Sequence, residues 1–152
     1  MGGHRGGMGV GAVSRYGAPM IQWILTIALL MHDTHGYSRA MPPAMAQAIA
    51  DVAPDRSTAA ILVVFAFRES SYRADVKGDG GASCGAWQTP CARTPKDVKG
   101  QAVLALAIMR ASMLACPEYP LAPYASGSCS SAAGRRISTA RIAEAKALAV
   151  MP

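Results

Sequence analysis

The chain is poor in residues that hold metal ions. It has three histidines, none after His35, and its four cysteines never stand in C-x-x-C spacing. Zinc sites are built from Cys and His at such spacings, so no metal and no other cofactor is expected. Lys and Arg are scattered, with no basic run interleaved with aromatics, which argues against a nucleic-acid partner. The apolar run Ile21–Met31 stops at eleven residues. A bilayer crossing takes ~20. No internal repeat occurs. Carboxylates are few: nine Asp and Glu stand against fifteen Lys and Arg, for a formal charge of +6.

What is present fits one domain with extensions. The chain has 152 residues, of which 51% are apolar, enough for a real core. The first forty residues hold three basic residues (Arg5, Arg15, Arg39) and one acid (Asp33), so the remainder is about +4. That modest excess suits an anionic polymer as partner. Cys84, Cys91, Cys116 and Cys129 allow three pairings. Cys84–Cys91 and Cys116–Cys129 are favoured, since each closes a short loop, and both imply an oxidising compartment. The alternative is four reduced, buried thiols.

The N-terminal part reads as a leader. Met1 to Ala18 is Gly-rich, lacks periodicity and is expected to be flexible. A basic segment before Ile21–Met31 reads as a secretory signal. Cleavage would fall at Ser38-Arg39-Ala40 or Ala44-Met45-Ala46. The run could instead be an uncleaved membrane tether, or a helix packed on the domain. Pro42-Pro43 marks the division, giving a leader over 1–41 and a domain over 42–152, exported to the periplasm or beyond the cell.

Apolar spacing then predicts helices. Ala44 to Ala53 places Met45, Ile49 and Val52 inward. Pro54 breaks it, and Asp55 or Ser57 can cap a second helix reaching about Ser70. Thr94-Pro95 predicts the start of a third, running to about Cys116. It is apolar on every face from Ala102 to Met109, as a central core helix would be. Pro117, Pro120 and Pro123 predict an extended crossing that ends at Tyr124-Ala125-Ser126-Gly127. A last helix is expected over Arg135 to Val150, with Ile137, Ile142, Ala145 and Leu148 inside.

The stretch Phe65 to Gln88 carries the chemistry. Ile61, Phe65 and Glu69 follow at i, i+4 and i+8, so Glu69 continues an apolar helical stripe. A carboxyl among apolar neighbours holds its proton more tightly, which suits a general acid. The competing reading is a helix-end Glu turned to solvent or paired with Arg68 or Arg73. Gly78, Gly80, Gly81 and Gly85 follow in a turn-rich segment. There the backbone can take positive φ and come close to a ligand. Trp87 reads as core or as a platform for a sugar.

Three short motifs in order, Glu69-Ser70-Ser71-Tyr72, Gly85-Ala86-Trp87-Gln88 and Tyr124-Ala125-Ser126-Gly127, resemble those of lytic transglycosylases and goose-type lysozymes. The resemblance runs from about Pro43 to the C-terminus. Trp87 stands where that family has Met, and Ala125-Ser126 where it has Asn-Ala. It implies a mainly α, lysozyme-like α+β fold: a helical bundle around a central apolar helix, with a small Gly-rich loop or β-hairpin lobe.

It also implies peptidoglycan glycan strands as substrate, Glu69 as catalytic acid, and Ser70, Ser83, Gln88, Tyr124 and Gly127 around the sugar. Tyr124 would position the carboxyl through its hydroxyl, and Ser83 would be a partner of Glu69. With no acid in the third motif, a one-carboxyl mechanism needs fewest assumptions, although Asp75 and Asp79 lie nearby on the loop. The expectation is a monomeric lytic transglycosylase. The alternatives are a hydrolytic lysozyme of cell-wall or phage origin, or a wall-binding module without turnover.

Overall fold

The computed structural model describes residues 17–152, so all but the end of the Gly-rich stretch read as flexible lies outside the described residues. Six α-helices and one small three-stranded sheet make up these residues, and two disulfides cross-link them. The chain is mainly helical, as its apolar spacing requires.

Helix α3 (Arg56–Ser70) is the centre. Asp55 caps it by accepting the Thr58 amide at 2.8 Å. Leu62, Val63, Val64, Phe65 and Ala66 are fully buried along its length. It is flanked by α1 (Gly17–Leu29), α2 (Pro43–Val52), α4 (Val98–Ala115) and α6 (Ala132–Ala149). The central helix is therefore not the one over 102–109. Helix α4 packs a single stripe, Ala102, Ala105, Leu106 and Met109, mainly against α2 and α5 (Ala122–Ser126). Its outer face leaves Val103 53% and Leu114 84% exposed. Sequence hydropathy counts apolar residues but not neighbours, and α3 has more neighbours.

Helix α4 also begins later than Thr94. Asp97 is its cap, accepting the Gly100 amide at 2.7 Å. The Thr94 hydroxyl is engaged elsewhere, 2.7 Å from the Thr89 hydroxyl and donating to the Pro90 carbonyl at 2.8 Å.

No packing boundary falls at residue 41. Helix α1 buries Met20, Trp23, Ile24, Ile27 and Ala28 in the same core as α2 and α3. The Trp23 indole donates to the Met151 carbonyl at 3.1 Å, and the Tyr72 hydroxyl donates to the Ala28 carbonyl at 3.2 Å. Arg68 reaches the His32 carbonyl at 2.9 Å. Residues of α1 and of 42–152 thus share one core. In the structure the apolar run is a helix packed on the domain.

Two other boundaries shift for local reasons. Pro123 sits in the first turn of α5, where proline's fixed φ favours a helix, so Tyr124 lies on a helical turn rather than an extended crossing. Gly134 lies inside α6 rather than ahead of it. A Cβ there would come within 3.1 Å of the Ala122 carbonyl, so glycine lets α5 and α6 approach.

Strands β1 (Lys77–Gly78), β2 (Ser83–Cys84) and β3 (Thr89–Pro90) form an antiparallel sheet in that order. Cys84 stands opposite both Lys77 and Thr89. Cys84 pairs with Cys91 and Cys116 with Cys129, at Cα separations of 4.8 and 5.7 Å. Both favoured pairings are present, and they fit an oxidising environment.

Candidate functional site

Glu69 sits on the last turn of α3, one turn beyond Phe65. Its side chain is 23% exposed, so it neither points into bulk water nor is sealed in the core. The neighbours are not wholly apolar. Arg141 of α6, itself 16% exposed, donates a hydrogen bond to the carboxylate. The same guanidinium lies 4.6 Å from the centroid of Phe65. The Phe65 ring meets the Tyr124 ring edge-on at 5.3 Å. Glu69, Arg141, Phe65 and Tyr124 thus form one cluster where α3, α5 and α6 converge.

The Glu69 side chain is paired, but with neither Arg68 nor Arg73. Arg68 forms a two-point ion pair with Glu144, its shorter contact at 2.6 Å. Arg73 donates to the Ser70 carbonyl at 3.1 Å.

The backbone after Glu69 is strained. Ser71 and Tyr72 both have positive φ, 51° and 63°. Two consecutive side chains in the left-handed region cost about 1–2 kcal/mol each. The turn reverses the chain so that the Tyr72 ring is buried against Phe67, at 5.3 Å between centroids. Asp79, at φ 51°, and Gln88, at φ 48°, are strained in the same way. Strain of this kind clusters at functional sites.

Tyr124 is placed from two directions. The Ser112 hydroxyl of α4 donates to the Pro120 carbonyl at 2.8 Å and accepts the Tyr124 amide at 3.1 Å. Ser138 of α6 accepts the Leu121 amide at 3.1 Å. The Tyr124 hydroxyl donates to the Trp87 carbonyl, not to Glu69. Burial pushes the phenol well above its ordinary range, and the negative charge of Glu69 pushes in the same direction. The two groups are therefore electrostatic neighbours although not hydrogen-bonded.

An open cleft of about 450 Å³ lies between the hairpin and α5. Ser83, Gln88, Tyr124 and Gly127 all line it, two from the sheet segment and two from α5 and its end. Glu69 is not among the lining residues. Tyr124 links the two regions: its ring forms part of the cleft wall and packs on Phe65 beside Glu69.

Individual roles differ from the sequence expectation. The Ser83 hydroxyl donates to Asp79 at 2.6 Å rather than to Glu69. The Gln88 amide donates to the Gly85 and Val76 carbonyls at 2.9 and 3.2 Å, so it braces its own turn while lining the cleft. Ser70 is buried, donating to the Ala66 carbonyl at 2.9 Å and accepting the Arg73 amide, and does not face the cleft. Gly127 ends α5 at φ 74°. Trp87 is 1% exposed, and its indole donates to the Leu62 carbonyl at 2.9 Å, so it is core and not a sugar platform.

Two residues of the site were not singled out from the sequence. Arg141 lies outside the inner face expected for the last helix from Ile137, Ile142, Ala145 and Leu148. Gly134, Ser138, Ala145 and Leu148 are the buried positions of α6, and 141 falls in the same heptad-like register, so that spacing could have found it. Gln101 is the second. Buried on α4, it accepts the Ala86 amide at 3.0 Å and donates to the Ala74 and Pro95 carbonyls at 3.1 Å each. A Cβ at Gly85 would lie 2.6 Å from its amide oxygen, so glycine is needed there as well as for its φ of 81°. A polar residue in the register of Ala102, Ala105 and Met109 is the signal that was present.

A larger cavity of about 490 Å³ lies near Asp75, Lys77 and Thr94 and contains none of the expected sugar-binding residues. Among the described residues, no three His, Cys, Asp or Glu side chains converge as metal ligands would. No family model, no curated protein and no solved structure matches this chain.

Proposed function

We propose that this chain is a peptidoglycan lytic transglycosylase with Glu69 as acid and then base. The reading rests on one observation above the rest. Glu69 follows the buried stretch Leu62–Phe67 of α3 and lies beside Tyr124, and Tyr124 lines a cleft together with Ser83, Gln88 and Gly127. Apart from the Arg93 guanidinium, the cleft's polar side chains are hydroxyls and an amide, which suit the hydroxyl and acetamido groups of a glycan.

In this scheme the glycan enters along the cleft and continues past Tyr124, so that the bond between N-acetylmuramic acid and N-acetylglucosamine comes to lie at Glu69, which does not itself line the cleft. Acid catalysis requires Glu69 to carry a proton, so the Arg141 contact opens in the productive complex. Glu69 protonates the leaving glycosidic oxygen. The substrate's own acetamido group stabilises the developing oxocarbenium ion. The ionised Glu69 then takes the proton of the muramoyl hydroxymethyl group, whose oxygen closes the anhydro ring. Arg141 is placed to receive the carboxylate in its charged state. No second carboxylate is needed for this sequence of steps. The enzyme would act as a monomer outside the cytoplasm, in the periplasm or beyond the cell, with α1 retained as part of its fold.

The test is Glu69→Gln on purified sacculi. Soluble fragments ending in anhydro-muramic acid, seen by mass spectrometry for the parent, should fall by orders of magnitude with the melting temperature preserved. Reducing muramic acid ends in the parent digest would replace transglycosylation by hydrolysis. A second reading, a wall-binding module without turnover, is favoured by the Glu69–Arg141 contact, which occupies the acid. Sacculus binding by the parent with no release of fragments would establish it.

A further inference from the structure

We infer that Arg93 makes the cleft selective for glycans that carry a carboxylate. The inference rests on the glycosidase reading above and adds a specificity residue to it.

Arg93 is the one charged residue among those that line the cleft. The others are neutral: hydroxyl or amide side chains at Ser83, Gln88, Thr89 and Tyr124, with apolar surface from residues such as Ile108 and Pro123. A lining of that kind suits sugar hydroxyls and the apolar faces of pyranose rings, and it accepts a neutral polymer as readily as an acidic one. The guanidinium breaks that symmetry.

Its mounting is rigid although its side chain is exposed. The Arg93 amide donates to the Pro90 carbonyl at 2.9 Å, and the neighbouring Cys91 amide donates to the Ala82 carbonyl at 2.9 Å. Cys91 is bonded to Cys84 in β2, which fixes this turn to the sheet. The Thr94 hydroxyl holds the Pro90 carbonyl from the other side at 2.8 Å.

Its donors are uncommitted. Among the described residues Arg93 takes part in no ion pair and no side-chain hydrogen bond, whereas Arg68 is paired with Glu144 and Arg141 with Glu69. The nearby acid Asp79 accepts the Ser83 hydroxyl. A guanidinium carries five donors in a planar fork that matches a carboxylate. The ligand class is thus a β-linked amino-sugar chain bearing a carboxylate, such as a lactyl ether, and not an uncharged chain of N-acetylglucosamine.

The experiment measures binding, not turnover, in the full chain carrying Glu69→Gln. A tetrasaccharide of alternating N-acetylglucosamine and N-acetylmuramic acid is titrated calorimetrically against chitotetraose. The acidic sugar should bind about five- to tenfold more tightly, as one partly exposed charge-assisted contact allows. Adding Arg93→Ala should abolish the preference without changing the melting temperature, adding Arg93→Lys should keep part of it, and 0.5 M salt should erode it (about 0.5 M brings the screening length to a few Å). An equal preference with and without Arg93, or no preference in the parent, overturns the inference while leaving the glycosidase reading intact. Failure of both sugars to bind overturns both.

Discussion

Arg141 of α6 donates a hydrogen bond to Glu69 at the end of α3, joining two helices across 72 positions of sequence. Both side chains are largely but not fully buried. Exposed ion pairs contribute about 0–1 kcal/mol, while breaking a fully buried pair costs about 3–5 kcal/mol. Arg141→Ala should therefore cost about 1–3 kcal/mol, part of it from lost packing on Phe65. A double-mutant cycle with Glu69→Gln, read by urea denaturation, isolates the pair. A coupling under about 0.5 kcal/mol would reduce it to a surface contact.

Gln101 ties the start of α4 to the turn that carries Trp87 and Gln88. Its carboxamide serves the Ala86 amide, which is buried, and the Ala74 and Pro95 carbonyls, which are half-buried. Gln101→Ala leaves these groups without partners. The expected loss is about 2–3 kcal/mol, which for a chain of this size is a fall of roughly 5–10 °C in melting temperature. Gly85→Ala should do comparable damage, since its Cβ would strike the same carboxamide. A Gln101→Ala chain that melts with the parent would show that water replaces the latch.

Tyr72 and Tyr124 both have phenols raised above the ordinary value of 10.0, in each case chiefly by burial. The sign follows directly. The native state keeps these protons when the unfolded chain has released them, so their stabilising contribution is complete below pH 10 and is lost above it. Denaturant midpoints should be level across neutral and mildly alkaline pH and fall steeply above about pH 10. Tyrosinate absorbance from these two rings should appear only with unfolding. Tyr72→Phe combined with Tyr124→Phe should flatten the alkaline fall. A double variant with an unchanged profile would assign it to other groups.

How much of this was legible in the sequence depends on the range of the interaction. Asp55 as a cap, α3 up to Ser70 and the pairing of cysteines 7 and 13 positions apart follow from neighbours in the chain. Gln88 of the second motif and Tyr124 and Gly127 of the third line one cleft, together with Ser83 from outside the motifs. What could not be read was long-range choice among equivalent partners. Ser83 had Asp79 within four residues, so the local carboxylate outcompeted Glu69. The Tyr124 hydroxyl donates to the Trp87 carbonyl, 37 positions away, a partner that motif spacing does not reveal. The centrality of α3 over α4 was hidden for the same reason: both are apolar, and only the tertiary arrangement says which has helices on more sides.

The last prediction concerns α1. Its 13 residues span about 20 Å at helical rise, well short of the ~30 Å hydrocarbon core of a bilayer. Its apolar face is spent on the protein instead. Ile24 and Ile27 are completely buried, and Trp23 is nearly so, with Arg56 lying 4.9 Å over its ring. Ile24→Ala should cost about 2–5 kcal/mol, as for a core position that cannot collapse. Removing residues 1–41 uncovers the faces of α2 and α3 that α1 covers and leaves the Tyr72 hydroxyl without its acceptor at Ala28. The shortened chain should bind the dye ANS, lose its near-ultraviolet dichroism and melt without a cooperative transition. A leader dispensable to the fold predicts the opposite: residues 42–152 alone would melt as sharply, and at the same temperature, as the whole chain.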